Sequence, residues 1–469
     1  MEDFYQFDEE FRDSIATVDE KGKRIWVYPK KPKGKYHNRR IAVTVVLLSI
    51  LFAGPFLKIN GQPFLLLNIF ERKFVILGTP FWPQDFLILA LMAITFFVFI
   101  ILFTVIFGRL WCGWACPQTL FMEMVFRKIE YWIEGDANQQ RKLDASAWDF
   151  NKVWRKGLKH LIFVAFSILI SHTVMAYLIG IENVKELISQ PPGENLSGFM
   201  GLVFFTAVFY WVFAYFREQA CTVVCPYGRL QGALLNEKSI VVGYDFNRGE
   251  PRGKIKKDQD ADTQGDCIDC KLCVHACPTG IDIRHGTQLE CVHCTACIDA
   301  CDEVMLKIDK PTGLIRYASY EGLKDGVSKI FNSRVAAYSI VLAVLVTLLA
   351  SFIATRSEVE ATVLKARGTL FTEEPDGRIS NLYNAQVINK TFDDLTLKMK
   401  LDNFPDGSIK LIGNQEMFIE ANSMIEVVFF IKLPKEAMDE RFVDVELGFY
   451  TKEGELKQSV ETNFMGPRK

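Results

Sequence analysis

Five stretches of the chain are strongly apolar and close to the length needed to cross a bilayer as a helix, about 20 residues. They cover residues 41–57, 86–107, 158–181, 199–216 and 335–354. The first is slightly short and carries Pro55 near its end. The apolar piece 64–70 is too short to span and reads as a segment at the outer surface. After residue 357 the pattern changes. Leu395, Leu397, Met399 and Leu401 alternate with Thr and Lys, and Val443, Val445, Leu447 and Phe449 alternate with polar residues and Gly. A period of two predicts half-buried strands. Turn signals recur at Pro375-Asp376-Gly377, Pro405-Asp406-Gly407 and Lys452-Glu453-Gly454. Short strands so punctuated predict an immunoglobulin-like sandwich over 357–469, with packing or dimerisation as its role.

Charge adds a topology. The chain is 49 % hydrophobic with a net charge of −2, so nothing points to nucleic-acid binding. The basic residues Lys21, Lys23, Arg24, Lys30, Lys31, Lys33, Lys35, Arg39 and Arg40 precede the first apolar run. The first forty residues show no signal-peptide pattern and read as a solvated cytoplasmic tail carrying a topogenic signal. The 109–159 connection is rich in Lys and Arg, whereas 182–198 carries one Lys against three Glu. The positive-inside rule then puts the N-terminus, 109–159 and 217–334 in the cytoplasm, and an odd number of spans puts the C-terminus outside.

Cysteine spacing supplies the chemistry. Eight of twelve cysteines lie within 267–301 as two Cys-x-x-Cys-x-x-Cys-x-x-x-Cys runs. This is the spacing of a two-cluster bacterial ferredoxin, in which three thiolates of a run hold one cluster and the fourth reaches the other. It predicts one [4Fe-4S] cluster on Cys267, Cys270, Cys273 and Cys301, and a second on Cys277, Cys291, Cys294 and Cys297. Structural zinc has no use for the third cysteine of each run. Pro278 follows Cys277 but Asp302 follows Cys301, a difference expected to alter the loop and not the ligation. His275 and His293 are expected to face solvent. Fe–S thiolates also require a reducing compartment, which agrees with the charge-based topology.

The other four cysteines form two Cys-x-x-x-Cys-Pro units, Cys112/Cys116-Pro117 and Cys221/Cys225-Pro226, at the ends of the second and fourth apolar runs, each after an Arg (Arg109, Arg217). Proline suits the first turn of a helix, so Cys116 and Cys225 are expected at helix N-termini, where the dipole favours thiolate. Residues 119–134 read as an interfacial helix. Four soft thiolates at one membrane face suit Cu(I), zinc, another Fe–S centre or thiol redox chemistry. His172 falls within the third span and His160 at its end; each is a functional candidate or a neutral partner to a neighbouring helix. The sequence contains no haem-attachment motif and no nucleotide-binding glycine motif, so neither flavin nor NAD is indicated.

The order of these features resembles the FixG/RdxA/CcoG family of cytochrome c oxidase accessory proteins over essentially the whole chain. The Trp-Cys-Gly-Trp-x-Cys-Pro unit is shared with membrane ferredoxins of the NapH/NosR type; the sandwich after the fifth span is the FixG-like feature. The expected architecture is an α-helical polytopic membrane protein of five spans. It has a tail at 1–40, four spans with the twin motifs at 41–240, a ferredoxin-like domain at 241–320, a fifth span at 335–354 and an outer all-β sandwich at 357–469. The resemblance implies a bacterial inner-membrane factor that matures a cbb-type oxidase for low-oxygen respiration. The implied activity is reduction of Cu(II) to Cu(I) at Cys112, Cys116, Cys221 and Cys225. Its expected partners are a cytoplasmic electron donor, a copper chaperone or oxidase assembly factors, and a second copy of the chain. A quinol-linked electron-transfer module and a non-enzymatic assembly scaffold are the other two readings.

Overall fold

The computed structural model describes residues 17–18, 21, 23–70, 72–254, 264–326, 331–366, 368, 370–413, 416–438 and 440–467. They fall into two compact units, one within Met1–Thr347 and one made of Leu348–Lys469 with Asn60–Gln62 and Gly78–Pro80. Five described helices are long and apolar enough to cross a membrane. They are α1 (Lys35–Ala53), α2 (Phe86–Phe107), α3 (Phe150–Ile179), α4 (Leu196–Trp211) and α5 (Ser333–Ala354). Each of the five expected apolar runs forms one of these helices, with shifted ends. α3 begins eight residues before its apolar run because Asp149 caps it, accepting from the Lys152 amide at 2.8 Å. α4 continues as a π-helical turn, Val212–Phe216. The 64–70 piece contributes β1 (Leu65–Asn68), antiparallel to β2 (Lys73–Ile76).

The basic arm departs from the expectation of a solvated tail. Its first sixteen residues lie outside the described ones. From Arg24 onward it is docked: Arg24 pairs with Glu218 at 2.6 Å, the Lys30 amide donates to His275 O at 2.8 Å, and the Tyr28 hydroxyl donates to Asp144. α1 starts at Lys35, inside the arm, because a residue far along the chain caps it. The Tyr36 and His37 amides donate to the Asp299 carboxylate at 3.0 and 2.7 Å. A carboxylate on orphan N–H groups at a helix start is favoured by hydrogen bonding and by the dipole. Asp299→Ala is expected to destabilise the protein by about 1 kcal/mol, checked by the denaturation midpoint in detergent; an unchanged midpoint would count against the cap.

The 119–134 segment, expected as one interfacial helix, is built of three successive helical pieces with one face buried against the long helices. Pro117–Leu120, a π-helical Phe121–Phe126 and Arg127–Ile133 follow one another. Phe121, Met122 and Phe126 pack with Phe163, Ile170 and Phe213 of the α3 and α4 segments. The Phe126 ring stacks on Phe213 at 4.5 Å and meets Phe163 edge-on at 4.8 Å.

The ferredoxin-like segment is closed by β3 (Val241–Tyr244) against β4 (Ile315–Ala318), which pair Val241 with Ala318 and Tyr244 with Ile315. Between them the cysteine runs lie on loops and two helices, Leu272–His275 and Ala296–Lys307. Val242, Ile281, Ile283, Ile298, Met305 and Leu314 form the core shared by both runs.

The second unit is two antiparallel sheets. One has five strands, in the order β8-β10-β6-β5 with the short Thr372–Glu373 strand also paired to β6, and the other has the order β9-β7-β11-β12. The strands are β5 (Val359–Lys365), β6 (Arg378–Asn389), β7 (Leu395–Leu401), β8 (Ser408–Leu411), β9 (Met417–Ile419), β10 (Met424–Pro434), β11 (Phe442–Thr451) and β12 (Leu456–Met465). The alternating residues behave as period two requires: Val445, Leu447 and Phe449 are all 0 % exposed and face Tyr383, Phe429 and Ile431 of the other sheet.

Candidate functional site

The eight cysteines of the ferredoxin-like segment gather round two apolar cavities. Cys267, Cys270, Cys273 and Cys301 line the first, with Tyr244, Met305 and Leu314. Cys277, Cys291, Cys294 and Cys297 line the second, with Val242, Ile281 and Ile283. Cys273 borders both, so the two cavities adjoin. They differ in exposure: Cys270 of the first is exposed, whereas Cys291 and Cys294 of the second are buried. Burial pushes the Cys273, Cys291 and Cys294 thiols up to about 12. These thiols therefore deprotonate only when a metal centre binds them and displaces their protons. Among the described residues, no three metal-ligating side chains are drawn close enough for a single ion. The donor chemistry of each cavity, four thiols in a mostly apolar wall, fits a [4Fe-4S] cluster, which takes its thiolates at separate corners.

The twin Cys-x-x-x-Cys-Pro units form a structural repeat, in a register different from that of the sequence reading. Gly108 (φ 55, ψ −127) ends α2, and Arg217 (φ 53, ψ −125) ends the α4 segment in the same conformation. Each lies four residues before the first cysteine of its unit. Arg217 thus corresponds to Gly108, and Arg109 to Glu218. Cys116 and Cys225 also match, at φ −63, ψ 122 and φ −62, ψ 114, each directly before a helix that begins with proline. A positive φ costs a non-glycine residue roughly 1–3 kcal/mol, so Arg217 needs outside support. Glu130 gives it, accepting from both Arg217 Nη atoms at 2.7 and 2.8 Å. Lys159 and Lys156 reach Glu134 at 2.9 and 3.0 Å, and Arg127 reaches Glu123 at 3.0 Å. Burial works against the Glu130 carboxylate, but Arg217 and Lys159 hold it below the usual glutamate range.

The four thiols of the twin units sit within one another's electrostatic reach: Cys112 feels Cys116 and Cys225, and Cys221 feels Cys116, Cys112 and Cys225. Burial pushes Cys112 up, and Cys221 to about 12. Cys112 lies beside Gln231 and Cys221 beside Thr119. Cys112 packs in one apolar group with Ala276, Val292, Cys294 and Ala296 of the cysteine loops, and Cys221 lies against that group. Gly113 permits that contact. A Cβ on it would stand 2.3 Å from His293 O and 2.8 Å from Val292 O. Trp114 Nε1 donates to the Tyr317 hydroxyl at 2.9 Å, which donates to His293 O at 3.2 Å. Two arginines close the seam. Arg40 donates to Gly113 O at 3.0 Å and Cys294 O at 2.8 Å, and Arg109 to Gln231, Leu289 O and Cys291 O.

His293 contradicts its expected solvent position. It is 1 % exposed, at φ 52, because the loop that carries it docks against the Cys112 unit. Burial, with help from Arg109, pushes its imidazole down to about 3, so it is neutral. His275 is exposed, as expected. His160 bonds the Tyr210 hydroxyl at 2.9 Å, the neighbouring-helix role, and His172 Nδ1 lies 2.7 Å from Ile168 O of its own helix. Sequence reasoning missed Gln231, Asp299 and the inward roles of Arg40 and Arg109. Position in or beside a cysteine motif was a signal for Asp299 and Arg109, and nothing local marks Gln231 or Arg40.

Comparison with known proteins places these features in a lineage. A "4Fe-4S binding domain" family matches residues 89–135, a "4Fe-4S dicluster domain" family matches 216–320, and the family of the IG-like fold at the C-terminal of FixG matches 349–467. Nitrogen fixation protein FixG of Rhizobium meliloti is 30 % identical, over 91 % of this chain and 89 % of its own. Protein RdxA and Protein RdxB of Cereibacter sphaeroides are 34 % and 33 % identical, over 81 % and 84 % of this chain and 82 % and 85 % of theirs. A solved FixG-related protein of Vibrio parahaemolyticus aligns with 24 % of this chain and 97 % of its own at 18 % identity and a TM-score of 0.21. With the cysteine runs, the twin Cys-Pro units and the terminal sandwich all accounted for, this chain is an iron–sulfur redox protein that belongs to the FixG/RdxA family.

Proposed function

We propose that the chain is an inner-membrane cupric reductase that serves assembly of a cbb-type cytochrome c oxidase. In this reading Cys267, Cys270, Cys273 and Cys301 hold one cluster, and Cys277, Cys291, Cys294 and Cys297 the other. The ferredoxin-like segment faces the cytoplasm and the sandwich the periplasm, as the loop charges predict. Bound in the two cavities, the clusters supply one-electron transfer.

The observation that carries the reading is the packing of Cys112 with Val292 and Cys294 of the second cavity's loop, with Cys221 against the same apolar group. The protein's residues do two things there. Gly113, Arg40 and Arg109 fix the loop against the twin unit, and the thiols of Cys112, Cys116, Cys221 and Cys225 receive the copper substrate. Cu(II) prefers nitrogen and oxygen donors, Cu(I) soft thiolates, so a thiolate site favours the product of the balanced step Cu²⁺ + e⁻ → Cu⁺. The electron comes from a low-potential one-electron carrier in the cytoplasm. Changing all four twin cysteines to Ser is expected to abolish copper binding while leaving about eight irons per chain, four for each cluster. Metal analysis with EPR on both proteins is the check, and unchanged copper stoichiometry would sink the reading.

One observation favours a second reading. The "4Fe-4S binding domain" family matches the stretch that contains Cys112 and Cys116. The twin unit would then belong to a quinol-linked ferredoxin relay, without copper. Iron above eight per chain that falls with the four-Cys change, or cluster reduction by quinol with no copper bound, would decide for it.

A further inference from the structure

The two cavities differ sharply in the charges that surround them. At the first, Arg284 is neutralised twice, by Asp269 and Asp282, both at 2.6 Å. Asp282 also faces Cys273, and Asp302 faces Cys301. At the second, Arg40 and Arg109 are each 3 % exposed. Among the described residues neither guanidinium is in an ion pair with a carboxylate, and Arg40 Nη2 has no hydrogen-bond partner. Both are held instead by carbonyls of cavity residues, Cys294 at 2.8 Å and Cys291 at 3.3 Å. One carboxylate faces Cys294, that of Glu123, and Arg127 occupies it at 3.0 Å.

An arginine keeps its charge at any working pH, and a charge in a dry site acts more strongly than in water. Reduction adds a negative charge, so net charge and exposure together set a cluster's potential. Burial of the second cavity disfavours that added charge, and two unneutralised cations beside it oppose the penalty. At the first cavity the lining cations are Lys271, which is exposed to solvent, and Arg284, which its two carboxylates neutralise, and Asp302 faces Cys301.

We propose that Arg40 and Arg109 are positioning residues that set the direction of electron flow, by holding the second cavity at a higher reduction potential than the first. The electron then enters at the exposed Cys270 side and comes to rest beside Cys112. Arg40 thus has a second role beyond the topogenic one its sequence position suggests. The inference rests on the cluster partition proposed above and is independent of copper.

The test is an EPR-monitored redox titration of the full-length protein in detergent, both clusters loaded and no copper present. Cys270→Ser shifts or removes the first cavity's wave alone and so identifies the other. In the unaltered protein the second cavity's wave is expected to be the higher of the two; if it is the lower, the proposal is overturned whatever the variants do. Arg40→Gln is expected to lower that wave alone by about tenfold in its equilibrium constant, about 59 mV for a one-electron couple. Arg40→Lys should restore it, which a purely structural role for the side chain would not produce. Asp302→Asn should raise the other wave. An unmoved second wave in Arg40→Gln at full iron content also overturns the proposal. Because copper is absent throughout, failure of the cupric-reductase reading leaves these outcomes unchanged.

Discussion

Glu130→Ala is expected to destabilise the protein by about 3–5 kcal/mol, the usual cost of removing one partner from a buried ion pair. Glu130 is 3 % exposed and its partner Arg217 2 %. The loss would leave Arg217 charged, buried and held at φ 53 without the carboxylate that fixes its guanidinium. Lys159, 3.9 Å from the same carboxylate, loses part of its compensation too. The pair outweighs the strain it holds, since the positive φ costs only about 1–3 kcal/mol. Trp26, under the Arg217 guanidinium at 4.7 Å, cannot replace a full negative charge. The pH dependence has a definite sign. A carboxyl whose folded value is depressed contributes stability above its unfolded value, about 4.3 for glutamate, and loses it as pH falls through the folded value. The difference between wild type and Glu130→Ala should therefore be full at neutral pH and shrink in acid. Denaturation midpoints in mild detergent across that range are the measurement. A variant within 1 kcal/mol of wild type at neutral pH would show that the network contributes little.

Gly113→Ala is expected to separate the twin cysteine unit from the second cavity. The new Cβ would stand 2.3 Å from His293 O and 2.7 Å from His293 C, both backbone atoms that cannot rotate away. Two effects compete. Alanine in the Leu110–Trp114 helix gains up to about 1 kcal/mol of helix propensity. Overpacking costs about 1–3 kcal/mol, and more where the obstacle is rigid. The clash should win, so the variant is destabilised and the 291–297 backbone exchanges its amides faster. Hydrogen exchange on the iron-loaded protein reads this directly. A stabilised variant with unchanged exchange at Val292 and His293 would mean that the two loops do not touch.

Much of this was readable along the chain because it rests on local periodicity. The apolar runs determined five long apolar helices, with ends wrong by up to eight residues where capping by Asp149 or Asp299 decided the start. Period two at Val443–Phe449 determined a strand buried on one face, and the cysteine spacing grouped the thiols that line each cavity. Such patterns survive in sequence because each residue's role depends on its near neighbours. Their physical basis is the pitch of a helix, the pleat of a strand and the reach of a thiolate turn.

Only the tertiary structure decided what meets what. Residues 73 and 254 positions apart in the chain meet at Arg40, which joins Gly113 to Cys294. Nothing local distinguishes that arginine from Arg39 beside it. The true register of the internal repeat, Arg217 on Gly108, shows in backbone angles and not in residue type, because Glu130 lets an arginine hold a glycine's conformation. Likewise the burial of His293 follows from the docking of one loop on another, and no property of Cys-Val-His-Cys predicts it. Hydrophobic pattern and ligand spacing are local constraints and leave their mark on the sequence. Long-range charge placement is a matter of contact, settled only when the chain has closed on itself.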